Sequence, residues 1–176
     1  LLFIAPSAST AQIQEFKAWL QAPDGELTQQ AFATDKLNKT DSNEAAYIID
    51  SLWLKKSAQE LAPMWQRLTI THDSIKLACA CRVFGIAPKD GRSLYISMHG
   101  GGNCPKEVND EQWYNQIYLY EPLEGVYVAP RAPWNTSDLW HREGLDELLE
   151  DVIRACVVFE GVNPNKVYLL GYSAGG

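Results

Sequence analysis

The chain is 176 residues long, about one domain by length, and its 46% hydrophobic and 21% charged residues suit an ordinary globular protein. Its 22 acidic residues outnumber 15 basic ones, for a formal net charge of −7, so no basic stripe is available to replace the counterions of a nucleic-acid backbone. No run of about 18 apolar residues is present to span a membrane.

Leu1 to Ser9 begins without methionine and reads as the trimmed edge of a longer chain, in preference to the tail of a secretion signal. No motif fixes a compartment; the cytoplasm is slightly preferred to secretion. Residues 10 to 66 read as a helical extension. Ile13, Phe16 and Leu20 share one helical face, with Ser9 or Thr10 available as a cap. Pro23 to Lys39 is polar and reads as a loop. Asp41 and Glu44 resemble a capping box, followed by the stripe Ala45, Ile48, Ile49, Leu52 and Trp53, which continues toward Leu61 and Trp65 past an expected break at Pro63.

The pattern changes at Leu68, so a second segment, 67 to 176, is expected. Leu68 and Ile70, then Ile75, Leu77, Cys79, Cys81 and Val83, alternate around His72-Asp73-Ser74, which predicts a hairpin. Pro88 to Gly91 is a turn, and Leu94 to Met98 a short apolar strand. Trp113, Ile117 and Tyr120 suit a short helix, and Val126 to Ala129 a buried strand stopped by Pro130. Leu145, Leu148, Leu149, Val152, Ile153 and Cys156 form the strongest helical stripe, with Gly161 as its C-cap. Val167 to Leu170 reads as a fully buried strand. Apolar strands alternating with helices predict an α/β fold with a mostly parallel sheet covered on both faces. Four cysteines without metal spacing read as buried or free thiols; Cys79 and Cys81, two apart on a strand, face the same way.

Two glycine motifs carry chemistry. Gly171-Tyr172-Ser173-Ala174-Gly175-Gly176 contains G-x-S-x-G directly after a strand. Such a turn lifts a serine hydroxyl out of the backbone, and flanking glycines remove side chains that would collide. A helix is expected to start there and aim its free N–H groups at the site. His99-Gly100-Gly101-Gly102 follows a second strand. Acyl transfer builds negative charge on a carbonyl oxygen, which backbone N–H groups in such a turn are placed to receive. The expected donors are Gly101 and Ala174, with Gly100 or Gly102 as alternatives to Gly101. His99 is expected to hold the loop, with a place against substrate also open. Trp134, Trp140 and His141 follow a strand end and are candidates to line the ligand crevice; core tryptophans and a structural histidine are the alternative.

On these residues, with Ile96 to Gly102, Val126 to Pro130 and Asn163 to Gly176, the chain resembles the α/β-hydrolase superfamily. Within it the likeness is to polyhydroxybutyrate-depolymerase-like and phospholipase/carboxylesterase-like esterases, over about residues 68 to 176. The resemblance implies hydrolysis of a small-molecule carboxylic ester. It also implies a triad in the order serine, acid, histidine, whose acid and histidine fall after the elbow. His72, His99 and His141 all precede Ser173. The rest of a hydrolase domain is therefore expected to complete the triad, and this segment alone to be inactive. A half-sheet ending at such a strand is expected to expose an apolar edge. A peptidase of the prolyl-oligopeptidase type and a non-catalytic binding protein are the alternatives. No P-loop or dinucleotide fingerprint occurs, so no cofactor is expected.

Overall fold

In the computed structural model of the chain, residues 8–34 and 36–176 are described. The readings of residues 1 to 7, and of a cap from the side chain of Ser9 or Thr10, lie outside what is described. The chain forms two compact units, divided between Lys56 and Ser57. The sequence places that boundary at residue 66. It falls earlier because Leu61 and Trp65 are buried in the core of the second unit.

The first unit holds helix α1 (Ala8–Gln21), two single 3₁₀ turns (Leu27–Gln29 and Ala31–Ala33) and helix α2 (Lys39–Trp65) as far as Lys56. Phe32 packs its ring 5.8 Å from Phe16 and 6.2 Å from Trp19. The polar segment after α1 is thus pinned by one aromatic residue. Helix α2 starts before the expected capping box. Asn38 caps it, its Oδ1 accepting the Asp41 N–H at 3.0 Å. Pro63 does not stop α2, which runs on to Trp65. At the last turn a proline forfeits only one ladder bond, and the buried Leu61 and Trp65 hold the helix on.

The second unit is a five-stranded mixed sheet with helices. Its strands are β1 (Thr69–His72), β2 (Ile75–Phe84), β3 (Arg92–Met98), β4 (Gly125–Arg131) and β5 (Val162–Gly171), in the order β1-β2-β4-β3-β5. The expected hairpin is β1 and β2, turning at Asp73 with φ +50°. The pairings β1–β2 and β2–β4 are antiparallel, while β4–β3 and β3–β5 are parallel. The sheet is therefore mixed and not mostly parallel: the long hairpin strand β2, which no helix follows, inserts against β4 in the opposite sense.

Helix α3 (Lys106–Ile117) links β3 to β4, and helix α4 (Leu145–Glu160) links β4 to β5. These crossovers give the three parallel strands β3, β4 and β5 a common direction. Helix α4 buries Leu148, Val152, Ala155 and Cys156 against Ile70, Leu77, Leu94, Ile96, Val126 and Val128 of the sheet. Each fully buried Leu or Val side chain contributes about 1.5–3 kcal/mol. Gly161 ends α4 in the left-handed conformation, its N–H on Cys156 O. Cys79, Cys81 and Cys156 are free thiols of this unit. Burial first, and then the Cys81 thiol beside Cys79 and the Glu160 carboxylate near Cys81, push both Cys79 and Cys81 up to about 12, so neither is a nucleophile near neutrality.

Strand β5 is not fully buried. It lies at the sheet edge with β3 as its one neighbour, leaving Tyr168 48% and Leu169 61% exposed. The run is not enclosed on both sides, contrary to what its apolar character suggests, and instead forms the exposed apolar edge expected of a half-sheet that ends at this strand. Among the described residues no helix is long and apolar enough to cross a membrane.

Candidate active site

The two glycine motifs sit at the C-terminal ends of the adjacent parallel strands β3 and β5. β5 ends at Gly171, opposite Met98, and Tyr172 donates its N–H to Met98 O at 3.2 Å. The chain then folds into one 3₁₀ turn, Ser173–Gly175. Ser173 takes φ +54°. A left-handed backbone costs an L-residue about 1–2 kcal/mol, and such strain persists only where the surroundings impose it.

Those surroundings are the flanking glycines. A Cβ on Gly171 would lie 2.1 Å from Gly175 O, and one on Gly175 would lie 2.3 Å from Met98 O and 2.9 Å from His99 O. Nor could Gly100 carry a side chain, since its Cβ would meet Tyr172 O at 2.8 Å and Ser173 Cβ at 3.1 Å. The oxyanion-type turn and the serine turn are thus packed backbone to backbone and form one site. Ser173 is exposed. Among the described residues its hydroxyl makes no hydrogen bond, and the N–H groups of Gly101 and Ala174 have no partner. Within these residues the chain after Tyr172 makes a single 3₁₀ turn, Ser173–Gly175.

The Gly102 N–H is given to Asn109 Oδ1 at 2.9 Å, so it is not free to receive a substrate oxygen. Of the other two glycines, Gly100 is buried, and Gly101 is exposed at φ +110°.

His99 and Trp140 do not face a substrate. His99 is fully buried, and both ring nitrogens are used. Nε2 accepts the Ala132 N–H at 3.1 Å, which leaves Nδ1 as the protonated nitrogen, donating to Gly100 O at 2.7 Å. Trp140 lies edge-on to this ring at 5.3 Å and donates Nε1–H to His99 O at 2.9 Å. Together they tie the glycine turn to the segment after β4. Trp134 is half-buried, with the Arg142 guanidinium 4.7 Å over its ring. His141 is exposed. None of the three histidines bonds to Ser173.

Burial pushes the His99 imidazole down from 6.5 to about 4, an effect the Gly100 hydrogen bond only partly offsets. Protonation would also set an Nε2–H against the Ala132 N–H. As pH falls below 6.5 the unfolded chain takes up a proton that the folded chain refuses until about 4, so stability is lost across that window. The gap corresponds to about 3 kcal/mol. Urea unfolding between pH 7 and 4 is expected to show this loss, and His99→Asn to flatten it.

Comparison with known protein families, curated proteins and solved structures finds no match to this chain.

The site also holds residues that no sequence motif marks. Asn109 on α3 is fully buried beside the glycine turn, and Arg131 and Asn135 stand next to it. Their only signal in the sequence is polarity at positions that the fold buries. No cluster of three or more metal-ligating side chains occurs among the described residues.

Proposed function

We propose that this chain carries the nucleophile and oxyanion-hole portion of a serine hydrolase acting on carboxylic esters. The observation that carries the reading is Ser173 at φ +54°, exposed, with its turn in backbone contact with Gly100. A strained serine beside unpartnered N–H groups suits acyl transfer.

In this reading Ser173 Oγ attacks the ester carbonyl carbon, and its proton passes to a general base. The carbonyl oxygen gathers negative charge against the N–H groups of Gly101 and Ala174. The carbon–oxygen bond to the alcohol breaks, and the base returns the proton to the departing alkoxide. Water then attacks the acyl group, losing its proton to the base, and the acid leaves as Ser173 recovers its hydrogen. His99 is unsuited to the base role, since its ring is buried and both nitrogens are engaged. We assign the base, and the acid that orients it, to groups other than His99; the resemblance to α/β-hydrolases implies that both follow Ser173 in chain order.

Fluorophosphonate labelling of the native protein, followed by peptide mass mapping, is expected to place the adduct on Ser173 and to fail in Ser173→Ala. A folded wild-type protein that takes no label would overturn the reading in favour of a non-catalytic cleft. A panel of ester chain lengths against a peptide amide separates the esterase from the peptidase reading.

A further inference from the structure

We infer that Asn109 is a positioning residue for the oxyanion turn, clamping it through Gly102; this rests on the hydrolase reading above. The chemistry of the Asn109 side chain fixes its orientation. The Gly102 N–H needs an acceptor, so Oδ1 faces it at 2.9 Å. The amide nitrogen then meets three oxygens: Gly102 O at 3.3 Å, Cys104 O at 3.3 Å and Asn135 Oδ1 at 3.1 Å. One buried side chain thus holds both backbone groups of Gly102.

The clamp is anchored from outside. Arg131 donates to Asn135 Oδ1, so that oxygen is turned toward Asn109 and cannot swing away. Arg131 is in turn held by Asp110 at 2.9 Å and by Ala132 O at 2.6 Å. Lys106, and after it Arg131, hold the Asp110 carboxyl below the ordinary carboxylate range, so this anchor stays charged. The chain Asp110–Arg131–Asn135–Asn109–Gly102 therefore runs from the surface to the turn.

The consequence concerns which N–H groups remain for substrate. With Gly102 N–H occupied and its carbonyl pinned, the turn has one settled course, and the exposed Gly101 keeps its N–H open. Gly101 must itself be glycine, because a Cβ there would lie 2.3 Å from Asn109 Oδ1. A loop without the clamp would place its donors in many directions, and preorganisation is what makes such donors effective. Substrate binding away from the carbonyl does not depend on them.

The test uses the native protein with Asn109→Leu, which keeps the branched heavy-atom skeleton and removes every side-chain hydrogen bond. Asn135→Ala, at a half-buried position, serves as the milder second variant should the first not fold. The expected result is a fall in kcat of about 10- to 100-fold with KM within about threefold. Affinity for a small boronic acid, whose tetrahedral Ser173 adduct needs the same N–H groups, is expected to fall in step with kcat. Amide exchange at Gly102 is expected to rise at least about tenfold. An active wild type with a folded Asn109→Leu variant of unchanged kcat and boronate affinity would overturn the clamp and leave the hydrolase reading intact. A variant that loses KM and kcat equally would also overturn it, as general loosening of the site. A wild type that neither hydrolyses esters nor binds the boronate would overturn the hydrolase reading itself, and this inference with it.

Discussion

Ser173→Gly is expected to stabilise the protein by about 1 kcal/mol while lowering ester hydrolysis by about 10⁴-fold or more. The two effects have one cause. Ser173 sits at φ +54°, where a Cβ is penalised and glycine is not. Neither its hydroxyl nor any hydrogen bond to it contributes to stability, because among the described residues the hydroxyl has no partner. Removing the side chain thus relieves strain at no structural cost, yet deletes the attacking atom. Ser173→Ala separates the terms: it deletes the hydroxyl but keeps the Cβ, so activity is lost without the gain in stability. Thermal unfolding of the three proteins beside their hydrolysis rates measures both. A glycine variant less stable than wild type would mean that the serine side chain holds the turn together. The turn would then be a packing device rather than a strained reactive site.

Gly175→Ala is expected to cost more than about 3 kcal/mol or to prevent folding. Its Cβ would fall 2.3 Å from Met98 O and 2.9 Å from His99 O, both backbone atoms of the neighbouring strand end. Neither can rotate aside as a side-chain tip would. The added methyl would have to separate the serine turn from the glycine turn, breaking the contact that makes one site of two. Gly161 offers the control. It has φ +69°, and its Cβ would meet nothing within 4 Å, so Gly161→Ala carries only the conformational penalty, about 1 kcal/mol. Urea denaturation of the two variants therefore sets close approach against left-handed backbone within one protein. Equal losses would mean that the strand ends can part more readily than their spacing implies.

Most local structure of the second unit was legible in the sequence, because its signals are periodic. The stripe from Leu145 to Cys156 could only be a helix with one buried face, and Gly161 could only end it. The alternation around His72-Asp73-Ser74 could only be a hairpin. Ser173 and Gly100 to Gly102 were visible as motifs, since tight turns demand glycine at fixed spacings. Three further features depended on which strands become neighbours. An apolar run such as Val167 to Leu170 reads the same at a sheet edge as at its centre, so its full burial could not be read from the run; the exposed apolar edge expected from the resemblance is what the single pairing of β5 with β3 leaves. The antiparallel entry of β2 against β4 was likewise a matter of strand order, on which local pattern is silent. His99, Trp140 and Asn109 needed the tertiary structure for a deeper reason. A polar side chain's role is set by the partners that burial brings to it, and here these lie 33 residues away for His99 on Ala132, 41 for Trp140 on His99 and 26 for Asn109 on Asn135. The sequence alone determined that a serine and a run of glycines each stand in a tight turn at a strand end. Only the fold decided that those turns touch, because that contact is made by backbone atoms of β3 and β5 meeting across a space that no side chain could occupy.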